Sequence, residues 1–69
     1  MKELDVIGKN IVRLRKERKL TQEDLCGLTQ MDRSHLSEIE NGKMNVTVKS
    51  LVTIAQAMDC ELADLVLEK

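Results

Sequence analysis

The segment from Asp32 to Asn41 carries the side chains with the greatest capacity for recognition chemistry. Leu36 and Ile39 define the inward side of a helix here, because successive helical residues turn by about 100°. The opposite side then holds only hydrogen-bonding groups: Ser34, Ser37, Glu38 and Asn41, with Arg33 reaching out from the first turn. Such a face either binds a polar ligand or is simply solvated.

Few other side chains in the sequence could support catalysis or metal binding. Cys26, Cys60 and His35 do not complete the set of about four ligands that a zinc ion needs. A disulfide would require an oxidising compartment, and each cysteine lies in an apolar segment where a thiol acts as a small hydrophobe. Glu23 and Asp24 suit the positive end of a helix better than acid catalysis. We therefore expect no enzymatic activity, no metal and no cofactor.

The composition limits the chain to one small domain. It has 69 residues, 42% of them hydrophobic, with no proline and no aromatic side chain. Modules that bind single-stranded nucleic acid stack bases on aromatic rings, so that class is excluded. No apolar run reaches the roughly 20 residues of a membrane span, and no stretch resembles a signal peptide. We expect residues 1–69 to form a single domain of a cytoplasmic protein without membrane contact.

Charge is distributed unevenly along the chain, although the net charge is only −1. Residues 1–19 carry seven basic and three acidic side chains, residues 20–45 carry two and five, and residues 46–69 carry two and four. A molecule polarised in this way can present a positive face to an anionic partner. The alternative is that the basic residues near the start of the chain are simply solvated.

The spacing of apolar residues predicts five helices that position the polar face. A first helix is expected from about residue 4 to residue 18, on the repeat of Leu4, Ile7, Ile11 and Leu14. Thr21 can cap a short second helix. The second helix places Leu25 and Leu28 on one face, so Leu28 is expected at the edge of the core.

The remaining three helices follow from caps and stop signals. Asp32 can cap the third helix, and Gly42 can end it because glycine adopts the left-handed conformation cheaply. Thr47 can cap a fourth helix, whose expected inner face is Val48, Leu51, Ile54, Ala55 and Met58. A last short helix is expected from about Leu62 to Leu67. Five helices with short connections indicate a compact all-α fold.

The second and third helices form a pair with a characteristic layout. A short capped helix, a tight turn and a helix with a polar outer face make a helix-turn-helix over about residues 21–41. This motif offers its second helix to the major groove of DNA.

Residues 7–67 resemble the five-helix, lambda-repressor-like DNA-binding domain of phage repressors and Cro proteins, the Xre-like helix-turn-helix family. The matching stretches include Thr21-Gln22-Glu23-Asp24-Leu25, Asp32-Arg33-Ser34 and Ile39-Glu40-Asn41-Gly42-Lys43. Within that family, Asp-Arg-Ser and the later Asn-Val-Thr-Val-Lys-Ser-Leu are most similar to controller proteins of restriction–modification systems. One departure is Gln30, which stands where the family usually has glycine, so it must adopt a left-handed conformation or alter the turn.

The resemblance implies a transcriptional regulator that binds a double-stranded DNA operator sequence-specifically through the major groove. Four residues at the start and outer face of the recognition helix would contact bases: Arg33, Ser34, Ser37 and Glu38. Four others would meet the DNA backbone: Arg15, Gln22, Asn41 and Lys43. One recognition helix reads only a few base pairs, so we expect a homodimer on two half-sites about 34 Å apart.

Two further expectations concern contacts within and between chains. The resemblance implies an ion pair between Arg15 and Glu40 that links the first helix to the recognition helix. The last helix is expected to form the dimer interface, because Leu62, Leu65, Val66 and Leu67 are more large aliphatics than a short helix can turn toward a small core. The alternative function is an antitoxin or other protein-interaction module whose main partner is a protein.

Overall fold

The computed structural model describes residues 2–68, so Met1 and Lys69, the two ends of the expected domain, lie outside the described residues. Within residues 2–68 the chain forms five helices and no strand, which confirms the predicted all-α fold. They are α1 (Lys2–Glu17), α2 (Gln22–Thr29), α3 (Arg33–Glu40), α4 (Val48–Ala57) and α5 (Leu62–Val66). α1 begins two residues earlier than predicted, and α5 ends one residue earlier.

The helices enclose one hydrophobic core. α1 packs against α3 and α5, α2 packs against α3 and α4, and α4 packs against α5. Every helix contributes to the core, whose fully buried side chains are Ile11, Leu25, Leu36, Ile39, Ile54, Met58 and Leu65. Leu36 and Ile39 point into this core, so the opposite face of α3 is turned outward as the apolar spacing predicted.

Side-chain caps define the starts of α2 and α4. Thr21 accepts a hydrogen bond from the backbone N–H of Asp24, whose carboxylate accepts one from the backbone N–H of Thr21, forming a complete capping box. Thr47 likewise accepts from the backbone N–H of Ser50. Asp32 occupies the cap position of α3, but its side chain makes no capping bond, so that part of the prediction was wrong.

Two residues expected in the core are exposed. Val48 has 68% of its surface accessible and Leu28 has 58%. Val48 shares the helical direction of Leu51 but is the first residue of α4, and helical spacing gives the direction of a side chain without showing whether a neighbouring helix extends far enough to cover it. Leu28 lies near the end of α2, and the packing of α2 against α3 and α4 leaves its side chain exposed.

Gly8 allows α1 and α3 to approach each other closely. A Cβ atom at this position would lie 2.7 Å from the carbonyl oxygen of Ile39 and closer still to that of Glu40. These carbonyls belong to the last turn of α3, so α1 crosses directly against the C-terminal end of the recognition helix. The absence of a side chain at Gly8 therefore places α3 relative to the rest of the core.

Asn10 fixes the end of α5 against α1. It is buried, and its Nδ2 donates hydrogen bonds to the carbonyl oxygens of Leu65 at 2.8 Å and Leu67 at 2.9 Å. Because the last carbonyls of a helix lack partners inside the helix, this amide satisfies groups that would otherwise be left unpaired. A helix of only five residues is thus held by side-chain bonds from α1.

Candidate nucleic-acid interface

The outward face of α3 borders an open cleft. The cleft has a volume of about 490 Å³ and is lined by Gln22, Arg33, Ser34, Ser37 and Glu38. Arg33, Ser34 and Glu38 are exposed, and Ser37 is half-buried. The four side chains expected to contact bases are therefore brought together around one open, polar surface, together with the first residue of α2.

The turn between α2 and α3 brings the starts of the two helices together. Gln30 has φ of +63° and ψ of 25°, so it takes the left-handed conformation, and its N–H donates to the carbonyl of Cys26 at 2.8 Å. This is one of the two outcomes expected for a non-glycine residue at this position. The turn leaves Gln22 and Arg33 close enough for the Arg33 Nε to donate to Gln22 Oε1 at 3.4 Å.

Arg15 and Glu40 form a partly buried ion pair between α1 and α3. Arg15 Nε lies 2.8 Å from Glu40 Oε2, and Arg15 Nη2 lies 3.2 Å from Glu40 Oε1. The two side chains are only 11% and 5% exposed. Arg15 Nη1 also donates to the carbonyl of Leu20 at 3.0 Å, so the guanidinium is bonded on all three nitrogens. This arrangement is the two-bond geometry that gives Arg–carboxylate pairs their strength.

Arg15 has an internal role besides its expected contact with the DNA backbone. Its guanidinium is largely buried and bonded to Glu40 and Leu20, which leaves little of its surface accessible to a phosphate. Gln22 is half-buried at the start of α2, and its Nε2 donates to Glu40 Oε1 at 2.8 Å. Gln22 therefore has an internal role besides the expected phosphate contact.

The other two residues expected at the DNA backbone follow α3. Asn41 is exposed, and its Nδ2 donates back to the carbonyl of Ser37 at 2.9 Å. Lys43 is exposed, and its backbone N–H donates to the carbonyl of Glu38 at 3.0 Å. Gly42 between them has φ of +71°, the left-handed conformation that ends the helix. The ammonium of Lys43 is thus carried on an ordered turn beside the polar face.

The expected dimer residues are divided between the core and the surface. Leu65 is fully buried in the core of its own chain, so it has no surface for a second copy, and this corrects the expected interface. Leu62 is half-buried against the core. Val66 is 42% exposed and Leu67 is 58% exposed, at adjacent positions where α5 ends. The exposed part of the expected interface is therefore the Val66–Leu67 pair.

Two partly buried cysteines lie outside the polar network. Desolvation by burial raises the pKa of the Cys26 thiol and of the Cys60 thiol, and the two cysteines are free. A raised pKa keeps a thiol protonated and unreactive near neutral pH. In the part of the chain that the structure describes, no group of three or more His, Cys, Asp and Glu side chains could hold a metal ion. No helix within residues 2–68 has the length and apolarity to cross a bilayer.

Two structural roles were missed by the sequence analysis. Asn10 lies on the same helical side as Ile7 and Leu14, and a polar residue within an apolar stripe is a signal that it bonds something in the core. The bond from Gln22 to Glu40 had no comparable signal, because it joins residues on different helices whose relative placement depends on the tertiary fold.

The fold and the cleft define a class of protein, the helix-turn-helix domains, in which the second helix of the motif is left exposed. Residues 11–65 match the helix-turn-helix family HTH_3, and the chain belongs to that family. The HTH-type transcriptional regulator y4dJ of Sinorhizobium fredii is 38% identical over 61 residues, which cover 88% of this chain and 79% of that protein.

Solved structures of restriction–modification controller proteins are also similar. C.AhdI from Aeromonas hydrophila superposes with a TM-score of 0.90 at 32% identity, covering 94% of this chain and 98% of that chain. The C.Esp1396I tetramer in complex with its natural 35-base-pair operator matches with a TM-score of 0.79 at 34% identity, covering 84% and 76%. The antitoxin PezA of Streptococcus pneumoniae is 36% identical over 61 residues, but these span only 39% of that protein.

Proposed function

We propose that this protein is a sequence-specific, double-stranded DNA-binding transcriptional regulator, without enzymatic activity, acting in the cytoplasm. The observation that carries the proposal is the open cleft around Arg33, Ser34, Ser37 and Glu38 on the outward face of α3. In a helix-turn-helix domain this is the face that enters the major groove. The C.Esp1396I structure, 34% identical, is a complex with operator DNA, which supports the same role here.

The contacts to DNA divide into base readout and positioning. Arg33 can span O6 and N7 of a guanine, and Glu38 can accept from a cytosine N4 amino group. Gln22, Asn41 and Lys43 surround this face and are proposed to meet phosphates, which orient the helix without reading sequence. Arg15 is not included, because its side chain is only 11% exposed.

Base readout by Arg33 is testable with one substitution. Arg33→Ala should lower affinity for the selected operator by about 1–3 kcal/mol and leave binding to random duplex DNA nearly unchanged. The site is first selected from a randomised duplex library, and both affinities are then measured at one salt concentration. Equal losses on operator and random DNA would mean that Arg33 contacts only the backbone.

We further propose that the protein binds two half-sites as a homodimer through the end of α5. Val66 and Leu67 are adjacent exposed aliphatics, and a two-fold contact there would let each copy cover the other's apolar surface. A dimer doubles the number of base pairs read, which a single recognition helix needs for useful specificity. The crystallised C.Esp1396I assembly on its operator is a tetramer, so self-association accompanies operator binding in that relative.

The dimer proposal predicts a folded monomer when a charge is placed at the end of α5. Leu67→Glu should shift the sedimentation equilibrium at micromolar concentration toward the single-chain mass of 7.8 kDa and weaken operator binding sharply. Val52→Glu is the control, because Val52 is a 37% exposed aliphatic residue of α4 that is not part of the proposed interface. A wild-type chain that sediments as a monomer and binds DNA without cooperativity would overturn the interface.

The second candidate is a protein-binding role as an antitoxin. The similarity to PezA supports it, but over a smaller share of that protein's length. A protein interface usually has a core of aromatic, methionine or leucine side chains, whereas the outward face of α3 is polar. We therefore favour DNA as the main partner. Loss of sequence preference in the library selection, combined with tight binding to a neighbouring gene product, would favour the antitoxin instead.

A further inference from the structure

We propose that Glu40 is a positioning residue for base readout, because it determines the direction of the Gln22 side-chain amide and through it the orientation of Arg33. The inference rests on the proposed function, in which Arg33 contacts a base. Its basis is a continuous set of side-chain hydrogen bonds that runs from Arg15 on α1 through Glu40 and Gln22 to Arg33 at the start of α3. We call this set the Glu40 relay.

The first step of the Glu40 relay is a carboxylate that can only accept. Glu40 lies against Arg15, which donates to both of its oxygens, and the side chain is 5% exposed. An ionised carboxylate has no hydrogen to donate. The group that approaches Oε1 from α2 must therefore be a donor, and it is the Nε2 of Gln22 at 2.8 Å.

The second step follows from the planarity of the glutamine amide. Oxygen and nitrogen are attached to the same carbon, so directing Nε2 at Glu40 directs Oε1 away from it. That oxygen accepts from Arg33 Nε at 3.4 Å. Rotating the amide by half a turn would place its oxygen against the Glu40 carboxylate and its NH₂ group against the Arg33 guanidinium. Both hydrogen bonds would be lost, and each would be replaced by a repulsive contact.

The third step is the effect on Arg33. A guanidinium carries five N–H donors in a planar fork, and the Glu40 relay engages only the one on Nε. The Glu40 relay does not use the two terminal nitrogens, so they remain available to a guanine edge at the open cleft that Arg33 lines. The bond to Gln22 is long, so it orients the side chain without immobilising it. Because Gln22 presents its oxygen to α3, the side chain at position 33 must be a hydrogen-bond donor to pair with it.

The inference is tested by the base preferences of five variants, four single and one double, each measured by selecting bound sites from a randomised duplex library. Arg33→Ala identifies the base pair that Arg33 reads. Glu40→Gln and Gln22→Met should both reduce the preference at that same pair, from about fivefold or more to about twofold, and leave the preferences at other positions unchanged. Gln22→Met retains the Arg15–Glu40 pair, so it remains folded if Glu40→Gln does not.

A matched control separates positioning from stability. Ile54→Val shortens a fully buried side chain of α4 and lowers stability without touching the Glu40 relay. With each variant compared at the same folded fraction, Ile54→Val should keep the wild-type base preference. In the Arg33→Ala background, Glu40→Gln should change no base preference further.

The outcomes distinguish failure of the inference from failure of the proposed function. A wild-type chain that selects no sequence overturns the proposed function and the Glu40 relay with it. A wild-type chain that selects a site, with the Arg33-dependent preference intact in both Glu40→Gln and Gln22→Met, overturns the relay alone. Equal loss of preference in Ile54→Val would reduce Glu40 to a structural role.

Discussion

Glu40→Gln should lower the free energy of unfolding by about 3 kcal/mol, a large part of the stability of a domain this small. Arg15 is only 11% exposed, so removing its partner strands a cation that water cannot fully solvate. The neutral amide can satisfy at most part of the two-bond contact that the carboxylate makes. The loss is therefore expected to exceed by far that of an exposed pair.

Urea denaturation of Glu40→Gln, Arg15→Met and the double variant measures this effect. The double variant should be less destabilised than the sum of the two single changes, because removing both charges leaves neither one stranded. Glu17→Gln is the control: its ion pair with Arg13 lies within α1, and the side chains of Glu17 and Arg13 are 56% and 37% exposed. That change should cost less than about 1 kcal/mol. Additive losses at Arg15 and Glu40 would contradict the coupling.

Gly8→Ala should destabilise the domain by about 3 kcal/mol, although alanine is the better helix former. The added methyl group would meet the carbonyl oxygens of Ile39 and Glu40, which are backbone atoms and cannot move aside without shifting the end of α3. The energy cost of that shift outweighs the gain in helix propensity. The same shift would also move Glu40 relative to Arg15, so the ion pair should weaken as well.

Gly27→Ala provides the matched control for this prediction. Gly27 lies within α2, and a Cβ atom there would meet nothing within 4 Å. Without a steric cost, the helix propensity alone should stabilise the domain by about 0.5–1 kcal/mol. The two variants are compared by their urea midpoints and slopes. A Gly8→Ala protein as stable as the wild type would mean that α1 and α3 can separate freely.

The elements of the fold were predictable to the extent that they depend on local signals. Helix number, the caps at Thr21 and Thr47 and the inward direction of Leu36 all follow from spacing and capping chemistry, and all are confirmed. The predicted burial of Val48 and Leu28 was wrong, because it depends on how far the neighbouring helices extend. The start of α1 at Lys2 has no capping residue in the sequence to mark it.

The residues of the candidate site were predictable from the sequence, but the hydrogen bonds that connect them to other helices were not. Helical spacing placed Arg33, Ser34, Ser37 and Glu38 outward, the resemblance assigned them base contacts, and the structure gathers them around one cleft. The burial of Arg15 and the second bond of Glu40, which it makes with Gln22, could only be found from the tertiary arrangement of α1, α2 and α3. Such contacts join residues that are 18 or more positions apart in the chain.

The charge pattern also has a different meaning once the contacts are known. Residues 20–45 carry an excess of acidic side chains, which by itself would repel DNA. Two of those carboxylates are used within the protein, however: Glu40 is neutralised by Arg15 from the basic first segment, and Asp24 caps α2. The hydrogen bonds from Thr21 lower the pKa of Asp24, so the bond that this carboxylate accepts from the Thr21 N–H is weakened only when the pH falls below the ordinary range of a carboxyl.

The two ends of the described chain meet at one corner of the molecule. Lys2 Nζ lies 3.6 Å from Glu68 Oε2, and Asn10 holds the carbonyl of Leu67 against α1. Ends that lie side by side can be joined by a short linker, which would convert the chain into a ring with new ends opened elsewhere. The loop from Lys43 to Val46, between α3 and α4, is one such place. A chain opened there would show whether the order of the helices along the sequence matters when their packing contacts are retained.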